Sequence, residues 1–345
     1  MENITHSLLG ATLAELALPT AATRSQRRVF SVVGIVAANL PDLDLIYTSL
    51  SAPPIGYLLH HRGHTHTLIG LAGQAVLLGG VCMLPAIRRR LADLRPRLWA
   101  LIAVSLLGHL ILDSWNSYGV HPFWPLDNRW LYGDAIFIVE PWFWIFLGGA
   151  LFVNSRRRRT GRVTSWSAHR RSATALGAMA LFVAMMFGLR ATAEARVHGA
   201  GRPVQGDVVD VVLSPKPANP FCWSVLSIVR NQVAAEYTLT RATASVTPRW
   251  TKINGCGGGN RGDVAWDVPV RQSLPRLRSL AKNDCWVRAW LQFGRAPLLE
   301  GTGISDMRYG NTGRANFSAM VMPPPGTACP ANLTAWTMPR ADLLE

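Results

Sequence analysis

The sequence predicts an α-helical multi-pass membrane domain of about six helical segments, followed by a small β-rich soluble domain. Three observations predict this. Hydrophobic residues make up 49% of the chain and charged residues only 16%, against ~25% charged in an ordinary soluble domain. The arginines of the first half fall in short clusters between apolar runs. Beyond about residue 195 the pattern changes to Gly, Pro, Thr and Val in short alternating runs. The division is placed as residues 1–192 for the helical membrane domain and 193–345 for an extracytoplasmic β-rich domain.

The six apolar segments are Ile4–Leu18, Val29–Tyr47, His64–Ile87, Leu98–Asp113, Ala135–Val153 and Ala173–Leu189. A full span takes ~20 apolar residues, so the first, fourth and sixth are short. The loops after the first, third and fifth segments carry Arg24, Arg27 and Arg28; Arg88, Arg89, Arg90, Arg95 and Arg97; and Arg156–Arg159, Arg162, Arg170 and Arg171. The two alternate loops carry only Arg62 and Arg129. The positive-inside rule assigns the rich loops to the cytoplasm. The N-terminus and the C-terminal domain are then extracytoplasmic, which for an inner (cytoplasmic) membrane means periplasmic. The net charge of +15 is therefore that of a membrane topology, and no nucleic-acid partner is expected. The opening Met1-Glu2-Asn3 lacks a positively charged region, so no cleavable signal peptide is expected.

In the second half the runs Asp207–Leu213, Cys222–Val229, Ala234–Val246 and Val287–Phe293 read as strands. Pro215-Lys216-Pro217, Gly257-Gly258-Gly259 and Pro323-Pro324-Pro325 punctuate them as turns. Trp223, Trp250, Trp266, Trp286 and Trp290 are expected in its core. Four of the five cysteines lie here: Cys222, Cys256, Cys285 and Cys329. In an oxidising compartment they suggest two disulfides, with three pairings open. Cys82 reads as packing inside a helix.

On that topology the ionisable residues collect on one side. His6 lies near the outer end of the first segment, and Asp42 and Asp44 at that of the second. His60, His61, His64 and His66 open the third; His109 and Asp113 close the fourth; His121 lies in the following loop; Asp134 and Glu140 begin the fifth. Seven of nine histidines converge, His169 and His198 being the exceptions. Ionisable groups at membrane depth are costly unless paired or ligated, and imidazole mixed with carboxylate suits Zn, Mn or Fe rather than Ca. His109 and Asp113, four apart, project from one helical face. His64 and His66 cannot share such a face. Pro41 disturbs the helix before Asp42 and Asp44. Each feature alone has a plain structural reading: a helix–helix hydrogen bond for His6, a cap for the aspartates, an interfacial belt for the Trp and Tyr residues. Their joint placement is the specific signal.

These motifs resemble the YdjM-like family of bacterial inner-membrane metal-dependent hydrolases. The resemblance is carried by Thr5-His6-Ser7, Asn39-Leu40-Pro41-Asp42-Leu43-Asp44, His60-His61-Arg62-Gly63-His64-Thr65-His66, Gly108-His109-Leu110-Ile111-Leu112-Asp113 and Tyr132-Gly133-Asp134, and covers about residues 1–190. It implies a membrane-bound hydrolase, with a His-x-x-x-Asp pattern distantly similar to that of zinc-dependent phospholipase C.

The expected chemistry is hydrolysis of a phosphoester or other ester of a lipid-like or envelope substrate, with the lipid bilayer as the standing partner. One or two divalent ions, zinc first, are expected. The leading ligands are His64, His109, Asp113 and Asp42, followed by Asp44, His60, His66 and His6. Asp134 or Glu140 is the expected general base, and Arg62 is expected to steady an anionic substrate or a lipid headgroup. The alternative is a non-enzymatic membrane metal sensor or scaffold. A transporter is disfavoured, because the inner halves of the segments carry almost no polar residues.

Overall fold

The computed structural model describes residues 1–48, 55–127, 129–161, 164–247, 256, 263–310, 316–324, 326–329 and 339–345. They form two compact units, Met1–Leu43 with Arg62–Gly188, and Asp44–His61 with Leu189–Glu345.

In the first unit, α1 (Asn3–Ala17) starts where the Glu2 side chain accepts from Thr5 N. α2 (Arg24–Asn39) opens with a capping box: Thr23 Oγ1 accepts from Gln26 N, and Gln26 accepts from Thr23 N. Pro41 has no N–H to continue the ladder, and α2 passes into a 3₁₀ turn, Leu40–Asp44. Two short helices, α3 (Leu45–Thr48) and α4 (Ile55–His60), belong to the second unit. After a second 3₁₀ turn, His64–His66, Thr67 caps α5 (Leu68–Cys82) by accepting from Gly70 N at 2.9 Å. Then come a short helix (Pro85–Leu91) and a 20-residue helix (Arg95–Ser114), here α6 and α7. A helical stretch follows from Pro141 to Arg159, with a π turn at Trp144–Gly148. A long helix (Ser165–Gly199) runs on into the second unit.

α1 and α2 meet backbone to backbone. A Cβ on Gly10 would collide with the Gly34 carbonyl, and one on Gly34 with that of Gly10. Ala14 and Ala38, one turn further on, are fully buried. Small residues at such a crossing let helices pack where lipid offers no hydrophobic drive. Phe30, Leu98, Ile102 and Leu106 fill the core behind this crossing.

Among the described residues three helices are long and apolar enough to cross a membrane: Arg24–Thr48, Arg95–Ser114 and Trp166–Gly199. Ile55–His66 with Leu68–Cys82 makes a fourth if the bent pair is one span. The count is thus three to four, against about six expected. α1 has 15 residues, short of the ~20 that a span needs, and the stretch after Pro141 is interrupted by its π turn.

The second unit carries antiparallel sheets. β1 (Asp207–Lys216), β2 (Asn219–Asn231) and β3 (Glu236–Ser245) form a meander. β4 (Val264–Trp266) and β5 (Val270–Ser273) both pair with β3. A three-stranded sheet follows, Pro297–Glu300, Gly303–Asp306 and Met320–Val321 in that order. Trp223 and Trp290 are fully buried, as a core reading requires. Trp250, Gly257–Gly259 and Pro325 lie outside the described residues.

One expected strand is a helix. Val287–Phe293 lies within the helix Cys285–Phe293, capped by Asp284, which accepts from Trp286 N and Val287 N. Val287, Trp290 and Leu291 are buried at helical spacing, and the apparent alternation is a by-product of that spacing. This helix packs on a short helix of the same unit, Ile55–His60. Tyr57 meets Phe317 edge to face, ring centroids 5.7 Å apart.

The disulfides are Cys222–Cys256 and Cys285–Cys329, and Cys82 is free and buried. The second bridge closes a separation of 44 residues, for which the chain-entropy model gives ~4 kcal/mol. The double variant Cys285→Ser/Cys329→Ser is expected to unfold at a clearly lower temperature in a thermal melt of the purified protein. An unchanged midpoint would deny the bridge a stabilising role.

Candidate metal centre

Four side chains from three stretches of the first unit converge. Asp42 comes from the 3₁₀ turn after α2, His66 from the turn before α5, and His109 and Asp113 from one face of α7. All four are buried, and one donor atom from each lies within 4.8 Å of the others. His66 Nε2 and His109 Nε2 are 3.0 Å apart. Each stands 3.4 Å from Asp113 Oδ2, and they stand 3.4 and 3.7 Å from Asp42 Oδ1.

Donors bound ~2.0–2.1 Å from one tetrahedral ion lie ~3.3–3.4 Å from each other. The five distances, 3.0 to 3.7 Å, bracket that edge. The proton arrangement agrees. His109 Nδ1 lies 2.7 Å from the Ala38 carbonyl. A carbonyl only accepts, so Nδ1 carries the hydrogen and Nε2 offers a lone pair to the centre. That lone pair faces two carboxylate oxygens, and Asp113 Oδ2 accepts no hydrogen bond. Without a cation between them, such electron-rich atoms repel at low dielectric. The residues present therefore fit a divalent ion.

Neighbouring groups orient these donors. His66 Nδ1 lies 3.0 Å from Thr65 Oγ1. The turn bearing His66 is held by Thr67 Oγ1 donating to His64 O at 2.9 Å and by Gln74 donating to Thr65 O at 2.8 Å. A Cβ on Gly70 would strike the His64 carbonyl, so glycine lets the turn sit on α5. Asp113 Oδ1 is contacted by the Met1 amino group, by His6 Nε2 at 3.5 Å and by Arg62 Nη2 at 3.0 Å. His6 stacks on His109 with ring centroids 3.8 Å apart, and neither of its ring nitrogens makes a hydrogen bond.

Arg62 is buried and turned inward, with φ of 61°. Its Nη1 donates to Gly119 O at 3.1 Å, Asn116 Oδ1 at 3.3 Å and Asp113 O at 3.4 Å, and its guanidinium lies 4.5 Å from the Tyr118 ring centroid. The guanidinium that the sequence offers to an anionic substrate or a lipid headgroup also grips the residue that bears the carboxylate. Arg62→Lys keeps the charge and loses the fork. Metal affinity is expected to fall ~10–100-fold, the usual effect of losing an outer partner of a ligand. Titration against a competing chelator measures it, and unchanged affinity would remove Arg62 from this role.

The other expected residues are not members of this four-residue group. His64 is exposed, its ring centroid 4.6 Å from that of Trp124. In the second unit, Asp44 Oδ1 lies 3.0 Å from His61 Nδ1, and the His60 ring centroid lies 6.2 Å from that of Tyr47. Asp134 is buried at φ 49°, between two backbone bonds (Gly133 N to Ser114 O, Ala135 N to Trp115 O) that lay its segment along the end of α7. Glu140 is buried and accepts from Trp142 N. Neither belongs to the four-residue group.

The model of the YdjM inner membrane protein family matches residues 1–195, more than half of the chain and every residue of this centre. The chain belongs to the YdjM inner membrane protein family. Its spans and this membership make it an inner membrane protein. Among relatives, the Inner membrane protein YbcI of Escherichia coli (strain K12) is 33% identical over 109 residues, 32% of this chain and 57% of that protein. The Uncharacterized protein YfhP of Bacillus subtilis (strain 168) is 26% identical over 148 residues, 42% of this chain and 43% of that protein. The chain thus spans about half the length of the curated relatives it matches. No solved structure matches it significantly. The YdjM match ends near residue 195, so the β-rich region lies outside it.

Proposed function

We propose that this YdjM-family protein is a metal-dependent hydrolase acting on a phosphoester or other ester of a lipid-like envelope substrate. The observation that carries the reading is the convergence of His66, His109, Asp42 and Asp113 at distances suited to one ion. These four would hold the metal, with zinc the natural choice for two imidazoles and two carboxylates. Such an ion supplies Lewis acidity, activating water near neutral pH and polarising a phosphoryl or carbonyl oxygen. His6, buried against Asp113 and stacked on His109, packs both residues in place. Arg62 and the Ala38 carbonyl hold Asp113 and His109 in place. The arginine distribution supports a periplasmic N-terminus and C-terminal domain.

One observation favours a second reading, a metal-binding scaffold or sensor. Four buried protein donors complete a tetrahedral shell by themselves, as in structural sites, whereas catalytic zinc keeps a position open. Metal analysis of the purified protein, paired with hydrolysis assays on phosphodiester and lipid substrates with and without chelator, separates the two. The hydrolase reading expects bound metal and turnover that chelator abolishes. Bound metal with no chelator-sensitive turnover across the panel would favour the scaffold.

A further inference from the structure

Residues 120–127 and 129–131 of the first unit lie in a loop beside the turn that carries His66. Val120 and Leu131 exchange both backbone hydrogen bonds, at 2.7 and 3.2 Å, and close its base. Pro122 O accepts from Leu68 N at 2.9 Å and fixes the loop to the first residue of α5. Stacking braces it: His121 on Trp130 with centroids 4.6 Å apart, and Trp130 on Tyr132 at 6.2 Å. Its tip reads Phe123-Trp124-Pro125-Leu126, where a solvated turn would carry Gly, Asn, Asp or Ser. Leu126 is 90% exposed, and Phe123 is exposed as well. Asp127 and Arg129 pair with each other at 2.6 Å.

We propose that this tip is an interfacial anchor, with Phe123 and Leu126 docked among the acyl chains of the leaflet beside the metal centre. The occupant follows from continuity. Leu68 and Ile69, which begin α5 at the bond to Pro122, are exposed, as are Val76 and Leu77 further along the helix. Taken with Ile55–His66 as one bent span, α5 turns those side chains to lipid, and the loop tip extends the same apolar surface past the helix end. Trp124 and Trp130 suit the depth at which amphipathic rings gather in a bilayer. The anchor stands whatever reaction the centre performs. It makes an acyl-chain-bearing molecule the species that arrives next to His64 and His66.

The test places a fluorophore on Leu126→Cys in the full-length protein in lipid nanodiscs. Cys82 is buried, and the other four cysteines are bridged. Val233→Cys, at a fully exposed position of the β-rich region, is the reference. Spin-labelled phospholipid is expected to quench the label at Leu126 and aqueous iodide to leave it bright, with the reverse at Val233. A label at Phe123→Cys should behave as at Leu126 and covers failure of that variant to fold. Iodide quenching at Leu126 equal to that at Val233 overturns the proposal. So does quenching by neither reagent, the result if another protein covered the tip.

Discussion

His109→Ala is expected to leave the purified protein without stoichiometric metal and, on the hydrolase reading proposed above, without chelator-sensitive turnover. Its Nε2 shares edges with all three other donors, so its loss removes one ligand and the geometric reference for the rest. The fall in metal affinity should exceed the ~10–100-fold that loss of an outer partner causes. Asp113→Ala should lose metal equally and be less stable than His109→Ala. Asp113 also neutralises the buried Arg62 guanidinium, and stripping one partner from a buried ion pair costs ~3–5 kcal/mol. Metal content by elemental analysis and a thermal melt of the same samples separate the two effects. Metal retained at wild-type stoichiometry in either variant would take that residue out of the centre.

Gly10→Leu is expected to prevent normal folding. The added side chain would have to occupy the space of the Gly34 carbonyl, and backbone, unlike a flexible side chain, cannot step aside. Overpacking a well-filled interior costs ~1–3 kcal/mol and sometimes more, and a collision with backbone falls at the severe end. The damage reaches the centre, because α1 carries His6 and α2 leads into the turn bearing Asp42. Gly34→Leu should fail in the same way, whereas Gly73→Leu, with open space around its Cβ position, should be tolerated. Monodisperse yield in detergent and melting temperature read the comparison. A Gly10→Leu protein that purifies and melts like the parent would mean the helices are not in contact there.

What was legible in the sequence, and what was not, follows the range of each signal. The His109/Asp113 pair depends only on the pitch of one helix, and its two donors stand on one face of α7. Asp42 was marked by its place after a helix-breaking proline, and it lies in the group. The choice between His64 and His66 was not readable. It is settled by Thr67, Gln74 and Gly70, which fix the turn on α5 so that His66 points inward and His64 outward. The role of Arg62 was equally hidden, because Asn116 and Gly119, which receive its other hydrogen bonds, lie more than fifty residues away. In the β-rich region, Val287–Phe293 satisfies a two-residue alternation and a helical period at once, and the Asp284 cap decides for helix. That capping aspartate, just ahead of an apolar stretch, was the signal available.

X-ray absorption on the zinc-loaded protein reads the ligand shell itself. A shell of nitrogen and oxygen only is expected, two imidazoles with two carboxylate oxygens at ~2.0–2.2 Å, with weakened imidazole scattering in His66→Ala. A sulfur-containing shell, or a spectrum that His66→Ala leaves unchanged, would contradict this centre.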